Sequence, residues 1–132
     1  MLFVSFWHCY AEDYGIYIKR GNDHVGKAEY RNAINNYTKA IGLNPSRADT
    51  HYSRGLAYAS LGQYRNAIND YTKAIGLNPS RADTHYSRGL AHASLGQYDK
   101  GCSDWKQACI LGTCDAYERL KNTDICTASL IN

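Results

Sequence analysis

The side chains able to do chemistry are present in this chain, but their spacing argues against catalysis. Its five histidines, His8, His24, His51, His85 and His92, include no pair at i and i+4, the spacing that sets two imidazoles on one helical face for a metal. No phosphate-binding glycine loop, HExxH, GxSxG or CxxC motif occurs. His51 and His85 have identical neighbours in the sequence and read as copies of one packing position. Residues that recur cannot form one asymmetric active site without a unique partner. The expectation is therefore a protein that is not an enzyme and has no metal or other cofactor. Five cysteines, Cys9, Cys102, Cys109, Cys114 and Cys126, cannot all pair. Cys109 and Cys114 flank Gly112, and Cys102 and Cys126 lie further out on either side, so two nested disulfides can be drawn. Buried free thiols are the equal alternative, and the redox compartment decides between them. Cys9 is expected to be unconstrained.

Composition narrows the partner. With 132 residues the chain is one domain, and 15 Lys plus Arg against 12 Asp plus Glu leave a net charge of +3, scattered rather than clustered. No nucleic-acid surface is expected. Hydrophobic residues make up 44% of the chain, enough for a core, yet no apolar run approaches the roughly 18 residues of a membrane span. Twelve tyrosines beside two prolines are lopsided enough to suggest repetition.

The elements that must position these residues do repeat. Arg31 to Tyr64 and Arg65 to Tyr98 are successive 34-residue blocks that differ at two places, Asn36 against Asp70 and Tyr58 against His92. A constant period with no insertion means that each copy is one supersecondary unit that buries its apolar face only by stacking on the next. Within a copy, Ala48 to Leu61 reads as a first helix, ended by Gly62 in a left-handed conformation. Tyr64, Ala67, Ile68, Tyr71, Ala74 and Ile75 recur at three- and four-residue steps and mark a second helix that must stop before Pro79. Gly55, Ala67 and Ala74 allow the two backbones to approach closely.

Gly55, Tyr58, Gly62, Tyr64, Ala67, Tyr71, Ala74 and Pro79, at these offsets in a 34-residue period, resemble the tetratricopeptide repeat. Two departures stand out: His51 where the family usually has a large apolar residue, and Arg54 where it has leucine. The resemblance implies an all-α fold, a right-handed superhelical solenoid of three helix-turn-helix repeats with a C-terminal capping helix. The domain reading is 1–13 for an N-terminal apolar segment, 14–47, 48–81 and 82–115 for the repeats, 113–123 for the cap and 124–132 for a tail, frayed apart from Ile125 and Cys126. The first repeat is degenerate, with His24 for the aromatic and Ala28 for the turn glycine. The N-terminus, MLFVSFWHCYA, is ambiguous. As a signal-peptide remnant over residues 1–11 it would indicate an exported or periplasmic protein. As Leu2, Val4, Phe6 and Trp7 packing on the first repeat, it fits a cytoplasmic one.

Arg54 and Arg88 fall on the first-helix face that meets the second helix, where Asp70 and Asp104 occupy one equivalent position. Ion pairs Arg54–Asp70 and Arg88–Asp104 are predicted, since an arginine buried there without a carboxylate would be costly. Arg20 with Asn36 is the neutral first-repeat version. A solvated arginine on the outer surface is the competing reading. Tyr52, Leu56 and Ala59, like Tyr86, Leu90 and Ala93, form a second apolar stripe on the first helices, offset by one residue from the core positions. The resemblance implies that this stripe lines a concave groove for an extended peptide or partner helix. Asn22, Asp49, Tyr52, Leu56, Asp83, Tyr86 and Leu90 are then the candidate binding residues. Packing of Leu56 and Leu90 on neighbouring first helices is the plainer alternative. Family members that clamp a chaperone's C-terminal carboxylate use lysine, asparagine and arginine, whereas this chain has Ile18, Asn22, Ser53, Asp83 and Ser87 at those places. Only Asn22 fits, and Asp83 would repel a carboxylate. The function implied is a non-catalytic protein-interaction scaffold with a protein or peptide ligand. The rival is a structural module that self-associates through stacked repeats.

Overall fold

The computed structural model describes the backbone of residues 3–127 and the side chains of 13–123 and 125–127. It is an all-α array of three helical hairpins: α1 (Phe3–Gly26) with α2 (Tyr30–Leu43), α3 (Ala48–Ser60) with α4 (Tyr64–Leu77), and α5 (Ala82–Ser94) with α6 (Tyr98–Ile110). The short helices α7 (Asp115–Leu120) and α8 (Asp124–Thr127) follow. The helix α1 crosses the expected boundary after residue 13, so the apolar N-terminal segment and the first repeat share one helical backbone. The expectations for Cys9 and for Leu2, Val4, Phe6 and Trp7 lie outside the described side chains. At the other end, the expected tail contains α8, a single helical turn.

Each hairpin closes on one turn. Gly62 has φ +71°, its N–H donates to Ala59 O at 2.9 Å and that of Gln63 donates to Tyr58 O at 2.9 Å, which satisfies carbonyls that the helix end would leave bare. Gly96 repeats this geometry at φ +72°. In the first repeat Ala28 takes the same role at φ +58°, where its Cβ is crowded by the backbone. Replacing Ala28 with glycine is therefore expected to stabilise the chain by about 1 kcal/mol, seen as a higher urea midpoint at unchanged slope.

The core lies between hairpins as much as within them. Ala33 and Tyr37 of α2 pack with Ala57 of α3, and Ala67 and Tyr71 of α4 pack with Ala91 of α5. Each second helix thus completes its burial on the next first helix, as the sequence period requires. Within a hairpin the helices meet at a glycine: a Cβ on Gly55 would lie 2.6 Å from the Tyr71 ring, and one on Gly89 would lie 2.6 Å from Trp105. Trp105 occupies the register of Tyr37 and Tyr71, and its indole nitrogen is buried without a hydrogen-bond partner. The first helices α3 and α5 also touch one another directly.

Candidate protein-binding surface

Charged residues tie neighbouring helices together. Arg54 Nε donates to Asp70 Oδ2 at 2.8 Å and Nη2 donates to Oδ1 at 2.7 Å, a bidentate pair whose carboxylate is buried. Arg88 and Asp104 repeat it at 2.9 and 2.7 Å. Each guanidinium also reaches back one repeat, with Arg54 Nη1 to Thr38 Oγ1 at 3.0 Å and Arg88 Nη1 to Thr72 Oγ1 at 3.1 Å, so one side chain joins three helices. The hydrogen bonds to Asp70, opposed in part by burial, push the Arg54 guanidinium pKa up. His51 and His85 explain the departure from a large apolar residue. Their Nε2 atoms donate to the carbonyls of Pro45 and Pro79, each at 3.0 Å, and so tie the preceding turn to the helix. Their Nδ1 atoms have no hydrogen-bond partner and face Asp70 and Asp104 at 3.6 and 3.9 Å. The neutral first-repeat pair takes another form: Asn36 Nδ2 donates to the Asn32 carbonyl at 2.8 Å, and Arg20 is exposed.

Leu56 and Leu90 project from the first helices α3 and α5 and are 41% and 45% exposed. Each thus leaves close to half of its surface open to solvent. Tyr52 and Tyr86 are half-buried rather than free: Tyr52 packs on the cluster around Tyr71, with ring centroids 5.9 Å apart, and Tyr86 packs on that of Trp105 and Cys102. Burial pushes the Tyr71 phenol well above its ordinary range. Asn22 is exposed, and its Oδ1 accepts a hydrogen bond from the Tyr37 hydroxyl at 2.7 Å, which fixes the amide and leaves its nitrogen and one oxygen lone pair to offer a ligand.

The residue that sequence reasoning missed is Arg81. It sits in the turn before α5 and lies over Tyr52, its guanidinium carbon 4.3 Å from the ring centroid. It also pairs through Nη1 with Asp49 and donates through Nε to Asp83 Oδ1 at 2.7 Å. Asp83, ahead of burial, accounts for the raised pKa of this guanidinium. Three predicted binding residues, Asp49, Tyr52 and Asp83, are thereby gathered around one cation. The available signal was Arg81 standing two residues before Asp83. Arg47, one repeat earlier, has Gly15 and Ile18 where Asp49 and Tyr52 would stand, and lies instead over Tyr14 at 5.9 Å.

At the C-terminal end of the face, Tyr86, Leu90, Trp105, Asp115, Ala116, Arg119 and Leu120 line an open cavity of about 430 Å³. Cys102 and Cys126 form a disulfide with Cα atoms 5.5 Å apart, and Cys109 and Cys114 form another across the Gly112 turn. The first holds α8 against α6. Among the described residues, no three His, Cys, Asp or Glu side chains converge as metal ligands do, and no helix is long and apolar enough to cross a membrane.

Known proteins share this architecture. The family model described as TPR repeat matches residues 21–62 and 55–96. The Arabidopsis OM64 TPR domain superposes with a TM-score of 0.78 at 27% identity, over 83% of this chain and 94% of that one. MamA gives 0.73 at 31% identity, over 78% of this chain and 60% of that one. The first TPR of Spaghetti (RPAP3), bound to the HSP90 peptide SRMEEVD, gives 0.79 at 22% identity, over 92% and 95%, a likeness of fold alone. No curated protein matches the sequence. Repeat length, the glycine contact inside each hairpin, the family model and the superpositions agree: the chain belongs to the tetratricopeptide repeat family.

Proposed function

We propose that the chain is a non-catalytic interaction scaffold that binds an extended peptide or partner helix along the inner face of its first helices. The observation that carries this reading is the exposure of Leu56 and Leu90, at 41% and 45%, one repeat apart on that face. Equivalent leucines left open at a fixed interval are suited to alternate anchors of one ligand. Tyr52 and Tyr86, half-buried and rigid, flank them and supply contact area at little conformational cost. Asn22, Asp49 and Asp83 frame the groove with polar groups. The acidic peptide bound by Spaghetti is not the ligand we propose here. Of the clamp positions only Asn22 is of the right type, and Asp49 and Asp83 add negative charge to the face.

A peptide selected from a random displayed library against the purified chain tests this. Its affinity is expected to fall about tenfold or more for the Leu56→Ser, Leu90→Ser double variant, because two apolar anchors are lost, while thermal stability stays close to that of the parent. Unchanged affinity in the double variant would place binding elsewhere on the molecule.

A further inference from the structure

Two first helices present the same tyrosine in the same frame, and the chain itself covers one of them. Arg81 lies over Tyr52, 4.3 Å from the ring centroid, between the carboxylates of Asp49 and Asp83. One repeat later, Tyr86 and Asp83 stand where Tyr52 and Asp49 stand, but position 115 holds aspartate where position 81 holds arginine. Among the described residues no cation lies over Tyr86 and Asp115 makes no ion pair. Tyr86, Leu90 and Asp115 instead wall the open cavity of about 430 Å³.

We propose that this cavity receives a basic side chain, arginine in first place, from the bound peptide. The guanidinium stacks on the Tyr86 ring and pairs with Asp83, as Arg81 does with Tyr52 and Asp49, and Asp115, which stands in the register of Arg81 itself, adds a second carboxylate from the cavity wall. The proposal rests on the groove reading above and adds to it the chemistry of one anchor. A planar guanidinium satisfies both demands of the site, since it stacks on an aromatic face and donates in a fork to carboxylates. The Nε of Arg81 bonds to Asp83 Oδ1, which leaves Oδ2 of the half-exposed carboxylate for the ligand. Leu90 receives the apolar neighbour of the basic residue. Arg119 is the one cation in the cavity wall, one turn beyond Asp115 on α7. It opposes an incoming cation and offsets Asp115, and the excess negative charge beside the cavity comes from Asp49 and Asp83, two carboxylates that share the single cation Arg81.

The test uses the full chain and three blocked peptides, acetyl-Ala-Leu-Xaa-Leu-Ala-amide with Xaa as arginine, glutamine or glutamate. Binding is followed through the NMR signals of Tyr86, Leu56 and Leu90. The arginine peptide is expected to bind about fivefold or more tightly than the glutamine peptide, the glutamate peptide being weakest. Asp115→Arg restores the residue of the preceding repeat and places a cation over Tyr86 within the chain. It should abolish the arginine preference while the helical circular dichroism is kept, and Arg119→Ala should sharpen the preference. Equal affinity for the arginine and glutamine peptides, both shifting Leu56 and Leu90, would overturn the basic anchor and leave the groove standing. A preference that survives Asp115→Arg would also overturn it. If none of the peptides moves these signals at millimolar concentration, the anchor and the groove fall together.

Discussion

Asp104→Ala is expected to lower the unfolding free energy by about 3 to 5 kcal/mol, the loss typical of breaking a buried ion pair on one side. The carboxylate accepts two hydrogen bonds from Arg88, at 2.9 and 2.7 Å, and is almost wholly buried. His85 Nδ1 and His92 Nε2 lie 3.9 and 4.0 Å from its oxygens. Removing it strands a guanidinium against α6 that must stay charged, and leaves Arg88 only its hydrogen bond to Thr72. Urea unfolding followed by circular dichroism measures the loss. Replacing both partners with apolar residues of similar volume, Arg88→Met with Asp104→Leu, should recover most of it, because no charge is then left buried. A loss below about 1 kcal/mol for Asp104→Ala would be the cost of a surface pair and would contradict the burial argument.

Reduction of the Cys102–Cys126 disulfide, or Cys126→Ala, is the second large effect. The bond joins residues 24 apart in sequence, and closing a loop of that length restricts the unfolded chain by about 3.5 kcal/mol. It also reinforces a small cap: α7 has six residues, none of them fully buried though Ala116, Tyr117 and Leu120 pack on the core, and α8 has four. The loss should therefore be local. Hydrogen exchange with and without reductant is expected to show α7 and α8 opening, followed by the end of α6, with protection in α3 and α4 nearly unchanged, because stability in a stacked array passes chiefly between neighbours. Uniform loss of protection along the array, or none at all, would contradict this division. Thiol counting after denaturation of protein prepared under oxidising conditions should find one free cysteine, Cys9.

The repeat was the most legible feature because it is written twice, nearly letter for letter, and because the family's small, aromatic and turn residues sit at fixed offsets. The pairing of Arg54 with Asp70 could be inferred since it needed only the two helical faces and the cost of a buried charge. Other features depend on neighbours that no local pattern encodes. Arg81 looks like any arginine before a helix until Asp49, Tyr52 and Asp83 surround it; its copy Arg47 has the same local sequence and a different setting. Tyr52 and Tyr86 read as exposed anchors from their stripe, yet the second helix of their own hairpin half-buries them, Tyr52 against Tyr71 and Tyr86 against Trp105, a consequence of packing that one helix cannot reveal. A Tyr86→Ala change therefore removes core contacts along with groove surface, which is why the leucines are the cleaner probes. The helical turn α8 carries no periodicity in its four residues; its place against α6 follows from the disulfide.

A ligand seated along the first helices must touch Leu56 and Leu90 together. A methyl-resolved NMR titration of the chain with the selected peptide tests it most directly. The Leu56 and Leu90 methyl signals are expected to shift together and saturate at one stoichiometry. Ile75 and Ile110 on the second helices should stay in place. Movement of Ile75 and Ile110 with Leu56 and Leu90 unmoved would contradict the account and put the ligand on the outer face or at the end of the array.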